Sequence, residues 1–279
     1  MKIAIQGEPG SNSDLAVREM LTGQQELVPC AISAEVFERL ARNETDAAVL
    51  PIENSLHGSV ADHYDLLLHH DVAIVGEMTL RIRHALIAAD GVRLQDVNEV
   101  LSHPVALSQC RRFFADHRDI QAVPFYDTAG SVKHLVQTGA RHAAAIAAPW
   151  AAEVYGGVVL LTDLEDDPQN FTRFFLLATH TRAAEVRSHL AAEGPAHKMS
   201  LAFSIPHHPG SLVKTLQGLA EQGADLTRIE SRPVPGKPWE YVFFVDLRLN
   251  HAASTEQVLQ SLYATCRSVK QLGQYAAAV

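Results

Sequence analysis

Cysteine is scarce in this sequence. The three residues, Cys30, Cys110 and Cys266, lie far apart, are odd in number and form no CxxC pair. This excludes a disulfide framework and a thiolate zinc site. Long apolar runs are missing too. None approaches the ~20 residues that a membrane span needs, and the apolar part of MKIAIQG is too short for a signal peptide. Basic residues are outnumbered, with 23 Lys and Arg against 32 Asp and Glu and a net charge of −9. Such a surface repels polyanions, which rules out nucleic acid or an anionic membrane as a broad partner but leaves room for a small basic pocket. The expected setting is reducing and cytoplasmic.

What is present is a chain of 279 residues, 47% of them hydrophobic. That suggests about two domains, each able to bury a core without staples. The composition shifts most clearly at THTRAAEVRSHLAAEGPAHK, a small and polar stretch that contains Gly194-Pro195 and reads as a linker. Before it, buried strand-like runs (KIAIQ, AAVLPIE, AAAIA) alternate with helical ones (SNSDLAVREML, VADHYDLLLHH, SVKHLVQTG), the rhythm of an α/β sheet with parallel strands. After it, the order reads β-α-β-β-α-β, the ferredoxin-like split arrangement.

Ligands of α/β sheets sit where strands end and helices begin. That selects Gly7 to Ser13, Glu53 to Ser59, Ser102 to Pro104 and Thr128 to Ser131. GEPGSNSD offers hydroxyls and backbone N–H groups at a helix N-terminus, which suits a carboxylate or phosphate. It matches neither GxGxxG nor the P-loop, and it reads equally as an ordinary cap on Asn12, Ser13 or Asp14. PIENSLHGS places Glu53, Asn54 and Ser55 at a strand end, a substrate rim or simply a turn. His57, His63, His69 and His70 lack the i,i+4 step of a metal helix and read as solvated surface residues, so no metal site is expected. His103, before a Pro-initiated helix, is a general acid, an anion partner or, preferably, a residue that orients the turn. Cys110 reads as an inert buried thiol.

QNFTRFFLL is the most informative strand of the first unit. Thr172 and Phe174 share one face, with Phe171, Arg173 and Phe175 on the other. An Arg among phenylalanines needs an anion or carboxylate unless it lies in solvent, and the pattern leaves both open. In the second unit, PGSL opens a helix with backbone donors, and ESRP puts Glu230 and Arg232 on one strand face, where they are able to pair with each other.

Together the segments PIENSLHGS, YDLLL, IVGE, LSHPVALSQC, DTAGS, AAIAAPWAAEVYG and NFTRF, followed by PGSL, LTRIESRP and VKQLGQY, resemble the prephenate dehydratase family over nearly the whole chain. DTAGS and YDLLL are also similar to plant arogenate dehydratases. The resemblance implies a two-lobed α/β catalytic domain over 1–180, like type II periplasmic binding proteins, a linker over 181–197, and an α+β ferredoxin-like ACT domain over 198–275. It implies decarboxylating dehydration of prephenate to phenylpyruvate without a cofactor. Alternatives are dehydration of arogenate and a non-catalytic amino-acid sensor. By the same resemblance Thr172 is the catalytic hydroxyl, and Ser11, Ser13, Asn54, Ser55, Thr128, Arg173 and Phe174 bind substrate. Phenylalanine is the implied feedback effector, held by Pro209, Gly210, Ser211, Leu212, Glu230, Ser231, Arg232 and Pro233 in a homodimer or homotetramer. Two departures stand out: Asn12 replaces an aromatic of the family, and Ser211 replaces the alanine of PGAL.

Overall fold

The structure, a computed structural model, describes residues 1–192, 194–234, 236–237, 239–249 and 254–277. The first elements are β1 (Lys2–Gln6), α1 (Asn12–Met20), β2 (Glu26–Cys30), α2 (Ser33–Ala41), β3 (Ala47–Asn54), a two-residue β4 (Gly58–Ser59), α3 (Ala61–His69) and β5 (Val72–Arg81). Strand β1 pairs in parallel with both β2 and β3. Its apolar run is continuous because both faces are covered. Ile3 and Ile5 pack with Val17 and Met20 of α1, whereas Ala4 joins a separate cluster with Phe37 and Leu40 of α2. Helix α1 is capped by Ser11, which accepts from Asp14 N, rather than by the three residues after it.

The run VAIVGEMTLRIRHALIA is divided between two sheets. It forms all of β5 and then β6 (Ala85–Ala88), the entry to a second lobe with β7 (Glu99–Ser102), α4 (Pro104–Ser108), α5 (Arg111–Asp116), β8 (Gln121–Pro124), α6 (Thr128–Thr138), β9 (Ala143–Ala147), α7 (Trp150–Tyr155) and β10 (Val158–Leu161). These strands form a five-stranded sheet in the order β10-β6-β9-β7-β8, parallel at β7-β8 and β7-β9 and antiparallel elsewhere. The chain then returns to the first lobe as β11 (Phe171–Thr179), antiparallel between β3 and β5. Strands from before and after the second lobe thus meet side by side, which brings Thr172 opposite Asn54.

Within 181–197, α8 (Ala183–Arg187) docks on the first lobe with Val186 fully buried, and Leu190 forms a bridge to Leu21. The last elements are β12 (Lys198–Ser204), α9 (Ser211–Glu221), β13 (Ala224–Pro233), β14 (Tyr241–Leu249), α10 (Thr255–Thr265) and β15 (Ser268–Tyr275), in the expected β-α-β-β-α-β order. They form the sheet order β13-β14-β12-β15, and β15 continues into β5 through one parallel pair, Gly273 with Ile74. A side chain at Gly273 would collide with the Ile74 carbonyl, so only glycine admits this junction. The described residues therefore form a mixed α/β fold with two sheets, the larger ten-stranded.

Candidate active site

All four strand-end segments selected from the sequence converge on one cleft of about 850 Å³ between the lobes. Ser11 and Ser13 line it from the start of α1, Asn54 from the end of β3, Thr128 from the start of α6, and Thr172 and Phe174 from β11. Gly7 lets the lobes approach closely: it has φ +93°, and a Cβ there would lie 2.6 Å from Asp127 Oδ2. Across the mouth, Glu8 accepts from Tyr126 OH at 3.1 Å and from Lys133 Nζ at 2.9 Å, tying the first lobe to the second.

Thr172 is buried, and its hydroxyl accepts from Asn54 Nδ2 at 2.9 Å. The same amide nitrogen donates to Asn170 Oδ1 at 2.7 Å and to the Phe171 carbonyl, while Asn54 Oδ1 accepts from the backbone N–H groups of Leu56 and His57. Asn170 Nδ2 donates to Gln109 Oε1 at 3.1 Å, and Gln109 Oε1 also meets His84 Nε2 at 2.7 Å. Gln109 Nε2 lies 3.1 Å from His57 Nδ1. This chain of amides and imidazoles runs from the first lobe into the second. Burial lowers the pKa of His84, opposed by its bond to Gln109, so the ring is held neutral.

Two expected substrate residues do not line the cleft. Arg173 follows Thr172 on a strand, so its side chain leaves by the opposite face. There it reaches Glu77 Oε2 from Nε at 2.7 Å, Asp246 Oδ2 from Nη1 at 2.5 Å and Tyr275 OH from Nη2 at 3.1 Å. The anion its burial requires is already supplied by the protein, and the expected role as substrate anchor is corrected to an internal ion pair. Ser55 also turns inward to the backbone, donating to the Gln169 carbonyl and accepting from Phe171 N, so it braces β3 against β11.

The expected effector residues are not brought together within one chain. Gly210, Ser211 and Leu212 line a hollow of about 200 Å³ with Trp239, Tyr241 and Arg267, and Pro209 lies outside it. Glu230 and Arg232 share a face as expected but do not pair with each other. Glu230 bonds Arg228 and Ser59, and Arg232 Nη2 donates to Asp65 Oδ2 at 2.7 Å. Ser231 and Pro233 are exposed on the alternate positions.

The histidines also differ from expectation. His63 is buried, between the Pro51 carbonyl and Ser33 Oγ, and His57 lines the cleft. His103 does orient its turn, its Nδ1 accepting from Val105 N at 3.3 Å, and it lines the cleft as well. Gln109, Asn170 and His84 were not singled out from the sequence. Gln109 and Asn170 did carry a signal, their places in LSHPVALSQC and NFTRF. Cys110 is fully buried, and desolvation pushes its thiol up to about 12.

A cleft of hydroxyl, amide and imidazole groups between two α/β lobes is suited to a small polar ligand held by oriented hydrogen-bond donors. The chain belongs to the prephenate dehydratase family: the model described as "Prephenate dehydratase" matches residues 3–182. It is 37% identical to arogenate dehydratase/prephenate dehydratase 2 of Arabidopsis thaliana over 99% of this chain and 72% of that protein. Among solved structures it is similar to prephenate dehydratase of Arthrobacter aurescens in complex with L-Phe, with TM-score 0.82, 30% identity, and 99% of this chain and 90% of the other covered. It is also similar to GqqA, described as a novel type of quorum quenching acylase, with TM-score 0.85, 31% identity, and 99% and 98% covered.

Proposed function

We propose that this chain converts prephenate to phenylpyruvate, carbon dioxide and water in the cleft between the lobes, with Thr172 as the catalytic hydroxyl. The observation that carries this is the bond from Asn54 Nδ2 to Thr172 Oγ1. An oxygen that already accepts keeps its own proton free to donate. In the reaction the bond from the ring to its carboxylate breaks, and its electron pair enters the ring. The para hydroxyl leaves in the same sense and, taking up one proton, becomes water. Aromatisation drives the step, so a donor at the departing oxygen is the main demand on the protein. Ser11, Ser13 and Thr128 then face the carboxylates from the starts of two helices, where backbone dipoles favour anions. Phe174 supplies an apolar wall, Asn54 orients Thr172, and Ser55 and Arg173 act on the fold around them.

The catalytic region is assigned to residues 1–180 as two lobes of the type II binding-protein kind, joined through 181–197 to an ACT domain at 198–275. Phenylalanine as feedback effector is supported by the relative solved with L-Phe and by the hollow at Gly210, Ser211 and Leu212. Because Glu230 to Pro233 lie away from that hollow, a complete effector site draws the two segments from different subunits of a dimer or tetramer, in the cytoplasm. Arogenate is the second reading, favoured by the naming of the Arabidopsis relative.

The test follows phenylpyruvate by its absorbance in alkali with prephenate supplied, follows phenylalanine by amino-acid analysis with arogenate supplied, and titrates phenylalanine into the prephenate reaction. Turnover of prephenate, reduced by phenylalanine, is the expected result. Turnover of arogenate alone, or acylase activity without turnover of prephenate as the description of GqqA suggests, contradicts it.

A further inference from the structure

No Lys or Arg is among the described residues that line the cleft, and its two carboxylates, Glu8 and Asp127, have the wrong sign for an anionic substrate. We propose that His57 and His103, one from each lobe, are substrate-carboxylate anchors, each presenting its Nε2–H to the cleft. This rests on the reading of the substrate as prephenate, a dicarboxylate.

The proton positions follow from covalent structure. Backbone N–H groups only donate and carbonyls only accept, so the bonds of Asn54 to Leu56 N, His57 N and the Phe171 carbonyl leave its amide one orientation. Asn54 Nδ2 then donates to Asn170 Oδ1, which makes Asn170 Nδ2 the donor to Gln109 Oε1. With Gln109 Oε1 thus an acceptor, Gln109 Nε2 is the donor that faces His57. His57 Nδ1 therefore accepts, which leaves Nε2 as the nitrogen that carries the ring's proton. The reverse tautomer would direct Nδ1–H at Asn54 Oδ1, 3.3 Å away, but would set it against the Gln109 donor. Flipping Gln109 to cure that would place donor against donor at Asn170.

On the second lobe the argument is shorter. His103 Nδ1 accepts from the backbone of Val105, so its proton is also on Nε2. In each ring Nδ1 is turned to the protein, and Nε2 lies across the ring from it. Both side chains are exposed, and both line the cleft. Neither Nε2 has a partner among the described residues. Glu8 is paired with Lys133 and accepts from Tyr126, and Asp127, which caps α6 through Gly130 N and lies in the electrostatic reach of His103, makes no hydrogen bond to either ring, so the imidazoles keep their donors for a ligand.

Asparagine and glutamine separate the two ends of each ring. Asn keeps an acceptor near the position of Nδ1 and lacks the reach of Nε2, whereas Gln reaches the position of Nε2 with a donor. His57→Asn and His103→Asn are expected to raise KM for prephenate about tenfold each, with kcat falling far less. His57→Gln is expected to stay within about threefold of wild type. Nitrogen-15 NMR of histidine-labelled protein should show both rings as the Nε2–H tautomer. The proposal is overturned if the Asn variants keep the wild-type KM, if Gln is no better than Asn at position 57, or if either ring carries its proton on Nδ1. If the wild-type chain does not turn over prephenate, the reading of the substrate falls and the anchors fall with it.

Discussion

Thr172 and Arg173 are adjacent, yet the pleat of one strand sends them into unlike surroundings. Thr172 meets the cleft, whereas Arg173 meets Glu77 and Asp246. Replacing Arg173 by Met removes the cation that faces Asp246 and one of the two that hold Glu77, the other being Lys198 at 2.7 Å, and unfolding in urea should show a loss of about 3–5 kcal/mol. A loss near zero would mean that the pair is replaceable by apolar packing. Two other buried residues set the response to acid. Burial, the largest cause, lowers the pKa of His63 and His84 below 6.5, so the folded state holds both rings neutral. The unfolded chain then binds more protons, and this stability is full above about pH 6.5 and lost as pH falls through the unfolded value towards the folded ones. Melting temperature against pH should bend downward on that limb, and His63→Gln should flatten the bend. Strand alternation made the opposite faces of Thr172 and Arg173 legible in the sequence. What covered the far face was not, because Asp246 and Tyr275 arrive from a segment 73 and 102 residues away.

Among the elements, β11 does most to build the site, since it enters between β3 and β5 and sets Thr172 opposite Asn54. Its NFTRF run was legible as a strand. Its neighbours were not, because antiparallel insertion after a whole intervening lobe leaves no local trace. The same reason hid Gln109 and Asn170, whose amides matter only once two lobes meet. Loops fared better, because glycine, serine and asparagine at strand ends have local causes: all four such segments reached the cleft. The junction of β15 with β5 is a sharper case. It hangs on Gly273, and Gly273→Val should cost about 1–3 kcal/mol in urea unfolding through the forced clash with Ile74. Wild-type stability in that variant would show that the two strands separate freely.

Across the whole molecule, the segment 198–275 is bound to the first lobe by ion pairs as well as by sheet. Arg228 reaches Glu53 at 3.1 Å and Ser59 at 2.6 Å, and Arg232 reaches Asp65. Glu53 neighbours Asn54, and Ser59 lines the cleft, so the ESRP strand touches the wall of the proposed active site. An effector that shifts this strand has a physical route to the cleft, as coupling between two sites requires. A chain with Glu230→Gln and Arg232→Met should lose inhibition by phenylalanine, read as rate with and without the amino acid. Inhibition equal to wild type would remove ESRP from the effector site. The net charge of −9 fits this picture only at the surface, since the cleft is set by a few oriented donors.

The central claim is that the Thr172 hydroxyl donates to the departing oxygen. It is tested most directly by comparing kcat for prephenate in Thr172→Ser, which keeps the hydroxyl, and Thr172→Val, which keeps the shape without it. The Ser variant is expected to stay within about tenfold of wild type and the Val variant to fall by about 10²–10³, with both equally stable. A Val variant that turns over prephenate as fast as the Ser variant would contradict the account.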